Sequence, residues 1–126
     1  MALPALLLLS ALATVSIDAA RWNERLLIVF APSRNAPMLV RQLAVAGPGT
    51  RERDLRLVVV AGDDVDGAAD DAATLRRRFD ARPGEFRALL IGKDGGIKLD
   101  ERAPISTERL FATIDAMPMR RGEMRR

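Results

Sequence analysis

The stretch IVFAPSRNAPML, residues 28–39, decides the fold. It continues an apolar run, Leu26-Leu27-Ile28-Val29-Phe30, of the kind that suits a strand covered on both faces. Ala31-Pro32-Ser33 ends the strand. Asn35 is placed to cap a helix that has Pro37 in its first turn. Leu39, Leu43 and Ala46 share one face of that helix, and Gly47-Pro48-Gly49 stops it.

The same grammar repeats downstream. Asp54 to Ala61 reads as a second buried strand, and an acidic loop follows from Gly62 to Asp71. The next helix puts Ala72, Leu75 and Phe79 on one face and turns Arg76-Arg77-Arg78 towards solvent. Phe86 to Ile91 is a third strand. Gly92-Lys93-Asp94-Gly95-Gly96 reads as a hairpin turn, and Ile97-Lys98-Leu99 returns antiparallel. Ser106 is the N-cap of a last helix, where Ile105 staples onto Leu110. Leu110, Phe111, Ile114 and Met117 form its apolar stripe, and Pro118 disfavours continuation. The order β-α-β-α-β-β-α implies a parallel crossover first and an antiparallel edge second. This is an α/β chain of the thioredoxin-like type: a three-layer sandwich with a central mixed sheet and helices on both faces.

Upstream, residues 1–17 hold no charged side chain, and Leu6-Leu7-Leu8-Leu9 lies at the centre of an apolar run from Ala5 to Val15. That is short of the roughly 20 residues of a membrane span. It fits the apolar core of a secretory signal, with small residues placing cleavage between 13 and 20. No Lys or Arg precedes the run, so a buried N-terminal helix is the alternative. The expected organisation is a signal segment over 1–20, a domain over 21–119 and a basic tail over 120–126. A secreted or periplasmic location follows, with no stable membrane span after cleavage.

Composition removes several chemistries. The 126 residues include neither Cys nor His. Thiol redox chemistry, Cys–His or Ser–His nucleophiles and the common zinc sites are therefore excluded. The tail, with Arg120, Arg121, Arg125 and Arg126 against Glu123, carries the whole formal charge of +3. The remainder is balanced, which argues against a nucleic-acid partner.

The stretches RWNERLLIVFAPS, LIGKDGGIKL and LFATIDAMPMRRGEMR resemble domain of unknown function 4174, a thioredoxin-like family, over about residues 21 to 126. The resemblance implies that fold and export, since the family occurs in bacterial proteins behind signal peptides and in vertebrate secreted matrix proteins. It implies no settled catalytic role. By the same resemblance the Ser33–Pro37 loop takes the thioredoxin active-site position without a thiol. Pro83 stands where the cis-proline of thioredoxins would be sought.

Candidate sites follow. Ser33, Arg34 and Asn35 sit at a helix start able to hold an anion, although Asn35 also serves simply as a cap. Lys93 and Asp94 are expected exposed at the hairpin tip, on a partner surface; the spacing is not that of a phosphate loop. Asp63, Asp64, Asp66, Asp70 and Asp71 lack the glutamate that closes an EF-hand loop. Met117, Met119 and Met124 are soft ligands without His or Cys to define a site. No metal or cofactor is expected. The tail suits an acidic protein, an anionic polymer or lipid, or is a frayed end. The sequence thus points to an exported, non-catalytic binding module of the envelope. An enzyme using the Ser33–Asn35 loop, or a matrix-type protein binding an anionic polymer, are the alternatives.

Overall fold

The structure, a computed structural model, describes residues 15–45 and 49–125. Residues 1–14, which hold most of the segment expected to be a secretory signal, Ala46 to Pro48 and Arg126 lie outside the described residues. Five strands form one sheet: β1 (Arg25–Ala31), β2 (Leu55–Ala61), β3 (Asp64–Asp66), β4 (Arg87–Ile91) and β5 (Ile97–Glu101). Among the described residues four α-helices accompany them: α1 (Pro37–Val45), α2 (Ala72–Phe79), α3 (Thr107–Asp115) and α4 (Pro118–Met124). The sheet order is β3-β2-β1-β4-β5, with β1 and β2 parallel and the other pairs antiparallel.

β1 lies at the centre, and all seven of its residues are buried. Its side chains alternate between two cores. Leu26, Ile28 and Phe30 pack with Val58, Val60 and Leu89 beneath Leu75 of α2. Leu27, Val29 and Ala31 pack with Val59 and Leu90 against Leu39 of α1 and Leu110 and Ile114 of α3. Helices therefore cover both faces. A strand with two covered faces needs apolar residues on both, hence the unbroken run from Leu26 to Ala31. Each such Leu, Ile or Phe contributes roughly 1.5–3 kcal/mol. The mixed α/β sheet is as expected and consistent with a thioredoxin-like sandwich.

Local signals hold at α2 and α3. Asp71 accepts from the Thr74 amide and Ser106 from the Arg109 amide, capping both helices. Ile105 and Leu110 share one core, as a staple requires. Gly92 and Gly95 close the β4–β5 turn.

Several expectations are corrected. The acidic loop contains β3, which adds an edge strand to β2. Leu43 is exposed, so α1 buries Leu39 and Gln42 instead. Arg76 is buried rather than solvated. A helix, α4, begins at Pro118 where a stop is expected: proline lacks an N–H, and the first turn of a helix has no intrahelical use for one. Residues 120–124 are thus packed helix where a free basic tail is expected. The fold also extends upstream of residue 21. Ile17 and Ala20 are buried in the core, and the Ile17 amide donates to Asp70 at 2.9 Å. Among the described residues no peptide bond is cis, Pro83 included.

Candidate functional site

β1 and β2 run parallel, so the two ends of the sheet differ. Seven residues at about 3.3 Å each separate them by roughly 20 Å. Past the carboxyl ends lies the loop Pro32–Ala36. There the Ser33 hydroxyl donates to Asn35 Oδ1 at 2.7 Å. Arg34 pairs with Asp66 at 2.5 Å and Asp64 at 3.5 Å, both on β3. These contacts raise its pKa, through the Asp66 hydrogen bond above all. The predicted trio is therefore together, but its polar groups serve one another and the edge strand. Ala36, not Asn35, directly precedes α1. Among the described residues no base is hydrogen-bonded to Ser33.

Beside this loop an open cleft of about 480 Å³ separates Pro32 and Gly62 from the end of α2 and the Asp80–Pro83 loop. Arg76 forms part of its wall and is only 9% exposed. Its Nη2 donates to the carbonyls of Ala31 at 3.2 Å and Gly62 at 3.1 Å, and Nη1 to that of Arg82 at 3.3 Å. Burial lowers its pKa, partly offset by the charge of Asp63. Neither the cleft nor this burial has a local sequence signal. The arginine triplet reads as a solvated helix face.

At the opposite end, α4 is fastened by charge. Arg25, fully buried, donates to Glu123 from Nη1 at 3.1 Å and from Nη2 at 3.0 Å, and to the Arg53 carbonyl at 2.8 Å. Lys93 Nζ reaches Glu123 at 2.9 Å and Asp54 at 2.8 Å. Burial alone would raise the Glu123 carboxyl. The hydrogen bonds and charges of Arg25 and Lys93 outweigh it and hold the group at about 2. Desolvation of Lys93 is likewise outweighed by Asp54 and Glu123, which raise its pKa. Alongside, Asp115 accepts from Arg53 and Arg120, the former stacked 4.0 Å from the Phe111 ring. Those hydrogen bonds, Arg53's first, lower the Asp115 pKa.

The partner-surface residues are redistributed accordingly. Lys93, expected at the hairpin tip, is 9% exposed and holds the network together. Arg120 is 7% exposed and pairs with Asp115. Asp94 folds back onto the Gly96 amide and Lys98. Arg121 and Arg125 remain exposed, and Arg126 is outside the described residues. The acidic residues are likewise employed: Asp70 anchors Ile17 and Asp71 caps α2. Met117 packs on the core while Met119 and Met124 are exposed.

The family model for a domain of unknown function, DUF4174, matches residues 16–123. The chain belongs to the DUF4174 family. The match spans this folded unit closely. It opens beside Ile17, the upstream core residue, and ends on Glu123, the carboxylate that holds Arg25 and Lys93. No solved structure matches this DUF4174 chain. Among its described residues no helix is long and apolar enough to cross a membrane.

Proposed function

We propose that this DUF4174 chain is an exported binding module of the cell envelope that works without thiol redox chemistry. One observation carries the reading. The loop between β1 and α1 holds no thiol, and its Ser33, Arg34 and Asn35 are engaged with each other and with Asp66 and Asp64. A nucleophile needs an adjacent base or a lowered pKa, and this loop supplies neither to Ser33. Recognition then falls to the surface. The partner is a protein or an anionic polymer of the envelope, met in part by Arg121 and Arg125 on the exposed side of α4. The uncharged apolar run from Ala5 to Val15 supports delivery to that compartment.

Chromatography of the purified mature chain on immobilised alginate tests the polymer arm. The expected result is retention released by salt and weakened in Arg121→Gln/Arg125→Gln. Absence of retention at low salt contradicts an anionic-polymer partner, and turnover of a physiological substrate contradicts the non-catalytic reading.

A further inference from the structure

Five cationic side chains are buried among the described residues: Arg25, Arg76, Arg87, Lys93 and Arg120. Four have a carboxylate. Arg25 and Lys93 share Glu123, Arg87 has Asp100, and Arg120 has Asp115. Of these five, Arg76 alone has no carboxylate within ion-pair distance among the described residues. A buried guanidinium without a counter-charge is costly, and hydrogen bonds to neutral carbonyls compensate only part of that cost.

Arg76 differs also in where it lies. It borders the open cleft past the carboxyl ends of the parallel strands β1 and β2, the position where open α/β sheets take ligands. Its three carbonyl bonds use three of the five guanidinium hydrogens, leaving two donors. The same bonds fix the side chain before any ligand arrives, so little ordering entropy opposes binding. Arg77 and Arg82 line the same cleft and outnumber its two carboxylates, Asp63 and Asp80, once Arg76 is included. Pro32, Ala73 and Pro83 supply short apolar walls that leave room for a small organic body.

We propose that this cleft binds a small oxyanion, the carboxylate or phosphate group of a solute, with Arg76 as its buried counter-charge and Arg77 and Arg82 at the rim. The site lies at the opposite end of the sheet from α4, so it stands or falls independently of the α4 surface proposed above.

Calorimetric titration of the full chain with inorganic phosphate and, separately, with succinate at low ionic strength tests it. Saturable one-to-one binding of at least one anion is expected; phosphate alone assigns a phosphoryl group, succinate alone a carboxylate. Arg77→Gln/Arg82→Gln, both at exposed positions, should weaken binding about tenfold or more, as loss of two nearby charges implies. Arg121→Gln/Arg125→Gln should leave it unchanged. Arg76→Gln, shown to be folded by its circular dichroism, should abolish binding. No saturable binding of either anion overturns the proposal. So does binding equal in the wild type and the Arg77→Gln/Arg82→Gln variant, which decides the matter if Arg76→Gln does not fold.

Discussion

Glu123 accepts from two buried cations at once, Arg25 and Lys93, and its carboxyl is held at about 2 against an ordinary 4.5. A carboxyl held lower in the folded than in the unfolded chain contributes stability that is fully present above pH 4.5 and is lost as pH falls towards 2. That difference amounts to on the order of 3 kcal/mol. Glu123→Gln should therefore cost about 3 kcal/mol at neutral pH, measured by urea denaturation, since it leaves two buried cations short of a partner. The variant should also show a flatter stability profile between pH 4.5 and about 2 than the wild type. A second test concerns Gln42, fully buried, which donates to the Ile105 carbonyl at 3.0 Å and accepts from the Ile105 amide at 2.7 Å. Gln42→Leu strands both backbone groups and should cost about 2–3 kcal/mol in the same assay. None of these roles is legible in the sequence. A charged or amide side chain reads by default as surface, and its partners here lie 98, 30 and 63 positions away. The cap Ser106 was legible because the cap and its amide are three residues apart.

Among the elements, β1, β2 and β4 were plain from their apolar runs, since strands covered on both faces stay apolar along most of their length and carry their arginines, Arg25, Arg56 and Arg87, at or next to the first residue. β3 was hidden, because three residues with Asp at each end resemble a solvated loop. It is held by Arg34 and by Gly67, whose φ is +89° and where a Cβ would meet the Leu57 carbonyl. Gly67→Ala should cost about 2 kcal/mol or more, seen as a lowered Tm, because both the backbone and the space refuse a side chain. α4 was hidden for a different reason: a proline that ends one helix here opens another. Its arginines then divide into the buried Arg120 and the exposed Arg121, with Arg125 exposed just past its end. Removing residues 118–126 should destabilise the domain by at least about 3 kcal/mol in urea, while Arg121→Gln should stay within about 0.5 kcal/mol.

The whole molecule has two unlike ends. At one, α4 is fastened by ion pairs, and at the other the Ser33 loop and the Arg76 cleft lie past the parallel strands. The α/β architecture was readable from element order. The cleft was not, because it is assembled from three separate segments, around residues 32, 62 and 76–83. The upstream boundary of the fold bears on export as well. Ile17 and Ala20 are buried, Ile17 is anchored by Asp70, and the Val15 carbonyl accepts from the Ala69 amide at 3.0 Å. Cleavage at residue 20 would remove these contacts, whereas cleavage after Ala11-Leu12-Ala13 keeps them all. The measurement that tests an exported module most directly is the intact mass of the protein recovered from the envelope fraction of a Gram-negative host. A mass lacking residues 1–13 is the predicted result. A full-length mass, or a protein confined to the cytoplasm, would contradict it.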